Sequence, residues 1–502
     1  MLLTIAACLG LAALSLLLPS EPSYDPWAWL VWAREVTRLE LDTHGGPSWK
    51  PLPVALLAVA APFGDELPVA LWVGTARAGA LLAIVLAFRL AARLTGGSTV
   101  LRVVAGTVAV WALVLTPDWF QFTAHATEAP LAVALMLWAT LRHLDGHRSH
   151  AMVLGALVCL MRPEVFPFLA LYALWLWRAA RGRRLLVAAL VLIVPLAWLV
   201  PDWIGSGNPL DGGSQARSEP EWSLSHAERP WLRALERVDN HAGLALEVMA
   251  AAATAAAVLR RQPAVLALAL AAAAEAGLYV AMTQAGFSGN PRYVLPALVI
   301  LCVLAGVGAA RTAELGGALA ARAAAALSRM RRSVAAQAPH RGVAAARLSG
   351  AALGLVGLAI LAGPLAEKRV KQLEFEAREV DRRMDLQRGL ERVMAAAGGA
   401  EALRALGSVT TNRALHTRLA WELGYPIQDV ERGYGHHVVI RTYEEGMAGE
   451  VLVWGTPRLR LLVARAGSFV AYERRDVSYR LVTPPLQGFD IRGEGAGDPG
   501  AG

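Results

Sequence analysis

The sequence predicts a polytopic, all-α membrane protein of about eleven transmembrane helices, followed by a small extracytoplasmic α+β domain. Three observations carry that expectation. Hydrophobic residues make up 56% of the 502 and charged residues only 18%, where soluble chains carry about a quarter charged. The apolar residues gather in runs approaching the roughly 20 residues that cross a 30 Å hydrocarbon core. Backbone amides in lipid must be satisfied within the segment, so such runs are read as helices. Arginines cluster in short stretches between the runs, as in cytoplasmic loops.

The first run, residues 2–18, has no basic segment before it, and Pro19-Ser20-Glu21 is a poor cleavage site, so it reads as a retained span. An outer loop of residues 20–50 follows. Within it, Pro26 to Leu41 lacks helix breakers, and Trp29, Trp32, Val36 and Leu39 share one face apart from Arg34, Arg38 and Asp42. That pattern predicts a helix at the membrane interface, where tryptophan is favoured. Pro51 to Phe63 is apolar but short and proline-rich, and reads as partly embedded.

Further spans are read at 68–92, 101–117, 127–142, 182–201, 240–258, 263–284, 292–311 and 347–365. Residues 151–177 are interrupted by Arg162-Pro163-Glu164. Unpaired charges at mid-membrane are costly, and proline disfavours helix in the residue before it, so two short spans meeting at a polar turn are expected. The positive-inside rule agrees, because one span there would turn the arginines of 178–184 outward. It makes 311–347, with seven arginines against one glutamate, a cytoplasmic loop. It also places loops 20–50 and 202–239 outside.

The membrane part is therefore expected over 1–365. An extracytoplasmic α+β domain over 366–492 follows, its strands read from VVIRTY, EVLVWG, LRLLVA and SFVAYERR. Residues 493–502 read as a disordered tail. The localisation implied is a plasma membrane, crossed many times.

The formal charge of +8 lies in loops and not on one basic face, which gives no nucleic-acid role. Cys8, Cys159 and Cys302 all lie in apolar segments and read as packing residues. No phosphate-loop, dinucleotide, zinc-hydrolase or serine-hydrolase motif is present, which argues against those chemistries.

The informative polar residues fall on the outer side. Asp25, in Ser23-Tyr24-Asp25-Pro26-Trp27, can take a proton from a hydroxyl nucleophile or cap the interfacial helix ahead of Pro26, and the two roles are compatible. Lys50, in Trp49-Lys50-Pro51-Leu52-Pro53, either neutralises a lipid phosphate or snorkels to headgroups. Arg292, in Gly289-Asn290-Pro291-Arg292-Tyr293, either grips a phosphate through its forked donors or anchors at the interface. Arg162 and Glu164 can pair near a cavity. His125 and Glu128, three apart, can share a helical face but are too few for a metal site. No metal or cofactor is assigned. Trp203 and Trp222, in loop 202–239, and Trp49 can stack on sugars or anchor their loops.

These landmarks resemble the GT-C superfamily of polyprenyl-phosphate-sugar-dependent glycosyltransferases. That group includes protein O-mannosyltransferases, the aminoarabinose transferase acting on lipid A, and actinobacterial mannosyl- and arabinosyltransferases. The matching positions are Asp25 after the first span, Trp49-Lys50-Pro51-Leu52-Pro53, Gly289-Asn290-Pro291-Arg292-Tyr293, and the region after Pro364. The Arg162-Pro163-Glu164 turn also looks like one in that group. Two departures are evident: Pro26 stands where the family has a second acid, and Lys-Pro-Leu-Pro replaces Lys-Pro-Pro. The resemblance covers roughly residues 1–365.

It implies an inverting hexosyl- or pentosyltransferase with a polyprenyl-phosphate-linked sugar as donor. The acceptor would be a hydroxyl of a glycan, lipid or protein in a bacterial cell envelope. Asp25 would be the base; Lys50, Arg292 and Arg162 would hold the lipid phosphate. Tyr24, His125, Glu128, Glu164 and Tyr293 would support them. Two other readings stay open: a lipid or glycan flippase, with its essential polar residues near mid-membrane, and a non-catalytic envelope scaffold for which Asp25 is dispensable.

Overall fold

The computed structural model describes residues 1–18, 20–217, 223–332, 340–396, 398–405, 409–411, 413, 415–432, 438–440, 472–475 and 478–481. The chain divides into two units, residues 1–43 with 47–380 and residues 44–46 with 381–502.

The first unit is helical. Its elements are α1 (Leu2–Ser15), α2 (Tyr24–Arg38), α3 (Pro51–Ala60), α4 (Glu66–Thr95), α5 (Thr99–Val114), α6 (Trp119–Ala124), α7 (Ala129–Leu144), α8 (Arg148–Cys159) and α9 (Phe166–Ala179). They continue with α10 (Arg184–Ser206), α11 (Asp211–Gln215), α12 (Pro230–Ala242), α13 (Leu244–Arg260), α14 (Pro263–Gln284) and α15 (Pro291–Arg332). Helix α16 (His340–Ala396) carries the boundary between the units.

The expectation of about eleven spans is overturned. Among the described residues, five helices are long and apolar enough to cross a membrane: Glu66–Thr95, Arg181–Ser206, Pro263–Gln284, Pro291–Leu327 and Ala345–Met384. A sixth is gained if α12 and α13, bent by 85° at their junction, count as one. The chain is thus a multi-pass helical membrane protein with five or six long apolar helices.

The reason is length. Apolar runs read as spans at 2–18, 101–117, 127–142 and in the first part of 151–177 fold as helices of 12 to 16 residues. At 1.5 Å per residue these reach at most about 24 Å, short of a 30 Å core. The run at 240–258 is broken by Gly243, whose φ of +72° suits glycine.

The long helices pack closely through small residues. Helix α15 lies between α5 and α13, where a Cβ on Gly306 would overlap the Ala105 carbonyl and one on Gly308 the Met249 carbonyl. Small residues at such crossings let backbones approach, which is how helices associate without a hydrophobic drive in lipid. Buried alanines dominate the surrounding core, among them Ala83, Ala87, Ala105, Ala109, Ala253 and Ala305.

Helix α2 forms close to the predicted place, but Asp25 through Glu35 are all buried. Its tryptophans pack on protein: the Trp29 ring stands edge-on to Trp72 at 5.1 Å, and Trp32 meets Trp49 at 5.6 Å. The Trp32 indole donates to the Asp42 carbonyl at 2.8 Å. Periodicity found the helix but could not distinguish a lipid-facing tryptophan stripe from a protein-facing one.

In the second unit, α17 (Gly399–Ala405) precedes β1 (Val409–Thr411), α18 (His416–Leu423), β2 (Val430–Arg432) and β3 (Val438–Ile440). Strand β1 pairs in parallel with both β2 and β3, Val409 facing Val430 and Val438. A separate antiparallel ladder joins β4 (Tyr472–Arg475) and β5 (Ser478–Leu481). The α+β expectation is not sustained. These strands are three or four residues long, below the usual five to six. EVLVWG and LRLLVA lie outside the described residues, as does the expected tail 493–502.

Candidate functional site

Five charged residues singled out in the sequence stand at helix starts, each within two positions of a proline: Asp25, Lys50, Glu128, Arg162 and Arg292. Proline suits a first turn, where its missing N–H is not needed and its φ is already helical. It also drives the preceding residue into extended backbone, seen at Lys50 (φ −136°) and Arg162 (φ −135°). Each charge is thereby held at the mouth of a helix.

Backbone ties bring these mouths together. The Leu52 amide donates to the Leu160 carbonyl at 3.1 Å, joining the start of α3 to the end of α8. Before α15, the Gly289 carbonyl accepts from the Tyr279 hydroxyl and the Arg237 guanidinium, both at 2.7 Å. Asn290 then caps α15, its Oδ1 accepting from the Arg292 amide at 3.0 Å.

The side chains meet in one buried network. Lys50 Nζ donates to Glu128 Oε1 at 2.5 Å and lies 3.7 Å from Asp25 Oδ2. Arg292 Nη1 donates to Asp25 Oδ2 at 2.5 Å and stands 4.0 Å from Glu128 Oε2. Arg162 reaches Glu128 Oε1 at 3.0 Å, Glu164 Oε1 at 2.6 Å and the Arg292 carbonyl at 2.8 Å. Tyr293 lies beneath both guanidinium groups, with Arg162 Cζ 4.8 Å and Arg292 Cζ 5.6 Å from its ring centre. Both lie within reach of cation–π attraction.

Three cations face three carboxylates, so the network balances. Glu128 is its centre: it touches all three cations and its side chain is fully buried. Burial of single charges on this scale is prohibitive, and compensation by partners makes it tolerable. Burial pushes the Lys50 ammonium below the ordinary lysine value, and the Glu128 carboxylate opposes that shift. The cluster holds Asp25 away from helix capping: Ser23 is the N-cap of α2, and the Asp25 carboxylate turns to Arg292.

The remaining sequence-selected residues are placed variously. Tyr24 opens α2 beside Asp25. His125 is buried next to the start of α2, its Nδ1 3.1 Å from the Glu21 carbonyl and its own carbonyl accepting from the Ser23 amide. It does not share a helical face with Glu128, because Ala126 at φ +50° separates α6 from α7. Trp49 is buried and donates to the Ala197 carbonyl of α10 at 3.1 Å. Trp203 is exposed on α10, and Trp222 lies outside the described residues. Among the described residues, no group of three or more His, Cys, Asp or Glu side chains is placed to hold a metal ion.

Two further neighbours of the network are not marked as site residues by the sequence. Trp29 supports Lys50, whose Nζ lies 5.0 Å from its ring centre. Glu275, the one charged residue of α14, is buried within the fields of Arg162 and Glu164. A lone acid in a long apolar run was the signal that marked it.

No protein-family model matches the chain, and no curated protein sequence matches it. Among solved structures, that of ArnT from Cupriavidus metallidurans bound to undecaprenyl phosphate aligns over 86% of this chain and 85% of that one. The alignment has 16% sequence identity and a TM-score of 0.49.

Proposed function

We propose that the chain is an inverting glycosyltransferase that moves a sugar from a polyprenyl phosphate to a hydroxyl acceptor of the cell envelope at the outer membrane face. One observation carries the reading: Lys50, Arg162 and Arg292, from three separate segments, converge with Asp25 in one buried network. A triad of cations beside a carboxylate suits a reaction in which negative charge grows on a leaving phosphate while a proton leaves the nucleophile. Arg292 Nε is buried without a hydrogen-bond partner, which leaves a donor for a phosphate oxygen.

At rest Asp25 is held by Arg292 and faces Lys50. A donor phosphate competes for both cations and releases Asp25 Oδ2. The acceptor hydroxyl gives its proton to Asp25 as its oxygen bonds to the anomeric carbon. The bond from that carbon to the phosphate oxygen breaks, and its electron pair stays on the phosphate, where Lys50 and Arg292 stabilise it. Asp25 then passes the proton to the phosphate monoester or to water. Glu128 keeps the cations grouped throughout, and Arg162 with Glu164 braces Glu128 from the far side.

The test compares the native protein with Asp25→Asn in detergent, using radiolabelled polyprenyl-phosphate sugars and a native membrane-lipid extract. The reading expects label transfer by the native protein and a loss of about 10²-fold or more in the variant, with donor binding retained. Equal transfer by both proteins removes Asp25 as the base.

A second reading, a lipid or glycan flippase, is favoured by Glu275 within α14 and by the sharp break between α12 and α13, since transporters place polar residues at broken helices. Flipping of a labelled lipid in liposomes without any sugar transfer would select it.

A further inference from the structure

The end of the membrane unit opposite the charge network carries a second cluster of basic and aromatic residues. Helix α10 relates the two. Near its C-terminal end, Asp202 accepts from the Gly212 amide at 2.9 Å and the Ala197 carbonyl holds Trp49, the neighbour of Lys50. Arg184 begins the helix, about 20 Å from Ala197 and about 27 Å from Asp202 at 1.5 Å per residue. That is close to a hydrocarbon thickness, so Arg184 and its surroundings occupy the opposite membrane face.

Four segments meet there: the end of α7, the start of α8, the middle of α9 and the turn before α10. His143 Nδ1 lies 3.1 Å from the Tyr172 hydroxyl, which donates to the Arg148 carbonyl at 3.5 Å. The rings of His143, Tyr172 and Trp175 stand 5.3 to 5.5 Å apart, centre to centre. The Arg148 guanidinium lies over Trp175 at 4.9 Å; on another face of α9 the Arg184 guanidinium lies over Trp177 at 5.4 Å and its Nε donates to the Trp177 carbonyl at 3.3 Å. The Tyr172 hydroxyl lies within the fields of both Arg148 and Arg183.

Acids are scarce in this cluster. Asp145 is already shared by Arg93 and Arg142, each at 3.9 Å. Among the described residues, no carboxylate forms a salt bridge with Arg148, Arg183 or Arg184. A guanidinium stacked on an indole is held in place while its N–H edge stays available to an acceptor. Beside the cluster, Leu171, Leu174 and Leu185 are exposed, an apolar surface on which acyl chains can lie.

We infer that this cluster is a binding site for the headgroup of an anionic phospholipid, held through its phosphodiester by Arg148 and Arg183. The inference is independent of the glycosyltransferase reading. A zwitterionic headgroup would bring an ammonium, and Asp145, the acid between α7 and α8, is already shared by two arginines. A phosphodiester carrying no cation meets only unpaired arginines, a recognition expected for basic pockets between transmembrane helices.

Native mass spectrometry of the full chain, released from detergent containing equal phosphatidylglycerol and phosphatidylcholine, tests the site. The native protein should retain phosphatidylglycerol in roughly tenfold excess, and Arg148→Gln/Arg183→Gln should lose that excess. Arg102→Gln, which removes a charge outside the cluster, should keep it. If the double variant does not fold, Arg148→Lys, which preserves charge but not planar stacking, should lower the preference severalfold. Equal retention of the two lipids by the native protein overturns the inference, as does a preference unchanged in the cluster variants. So does inorganic phosphate that displaces the lipid at equal concentration, which would make the cluster a simple anion site.

Discussion

Replacing Glu128 with alanine tests whether the buried network is held by charge balance. The native cluster sets Asp25, Glu128 and Glu164 against Lys50, Arg162 and Arg292. Glu128→Ala leaves one positive charge in excess, with Lys50 and Arg162 losing contacts of 2.5 and 3.0 Å. Breaking a buried ion pair by removing one partner costs about 3–5 kcal/mol. At roughly 2 °C per kcal/mol for a large unit, the thermal midpoint should fall by about 6–10 °C. The assay is unfolding in detergent at a fixed heating rate, followed by tryptophan fluorescence. A second variant separates charge from packing. Adding Lys50→Met to Glu128→Ala restores neutrality, so a double-mutant cycle should show a coupling of about 1–3 kcal/mol. If the two losses simply add, the cost of Glu128→Ala comes from the cavity, and the electrostatic account of the site is wrong.

Three further predictions concern separate parts of the chain. Because burial lowers the Lys50 ammonium from its usual value, sugar transfer should fall on an alkaline limb that begins below about pH 10.4; in Lys50→Arg that limb should move to higher pH, and a limb at the same pH in both proteins assigns it elsewhere. Gly308→Ala should cost about 1–3 kcal/mol by pushing α15 from the Met249 carbonyl, whereas Gly357→Ala, with open space around it, should be neutral or stabilising in the same melting assay. Glu376→Gln should loosen the start of α6, where the Asp118 and Gln121 amides donate to the carboxylate at 2.9 and 3.4 Å; hydrogen exchange over 118–124 should quicken roughly tenfold for a charge-assisted bond of this kind, and unchanged exchange would leave Glu376 without that role.

Much of the candidate site was legible because its parts have local signatures. Asp25, Lys50, Arg162, Glu164 and Arg292 each interrupt or flank an apolar run beside a proline, and a charge in that position needs an explanation whatever the fold. What the sequence could not supply was mutual distance. Along the sequence Glu128 stands out only as a neighbour of His125 and a supporting residue, because a reading along one helix does not reveal that Ala126 adopts φ +50° and divides the segment. Its contacts come from residues 34, 78 and 164 positions away. The number of spans was misread for a related reason. Apolarity shows that a segment avoids water, but whether it crosses a bilayer depends on where its helix stops, and Thr99–Val114 stops after 16 residues. Once several short helices pack around α4 and α15, protein covers the apolar faces that composition alone assigns to lipid.

The closed network also bears on the order of events in the proposed reaction. Asp25 Oδ2 is engaged by Arg292 at 2.5 Å, with Lys50 at 3.7 Å. An acceptor hydroxyl reaching this site first meets a carboxylate oxygen already occupied by a cation and so not open to its proton. A donor phosphodiester reaching it first offers Arg292 and Lys50 an alternative anionic partner, so those cations can turn without being left unpaired. Glu128 makes the exchange local, since it retains Arg162 and keeps Lys50 close while Arg292 moves. In the proposed reaction, activation of the base would therefore follow occupation by the donor.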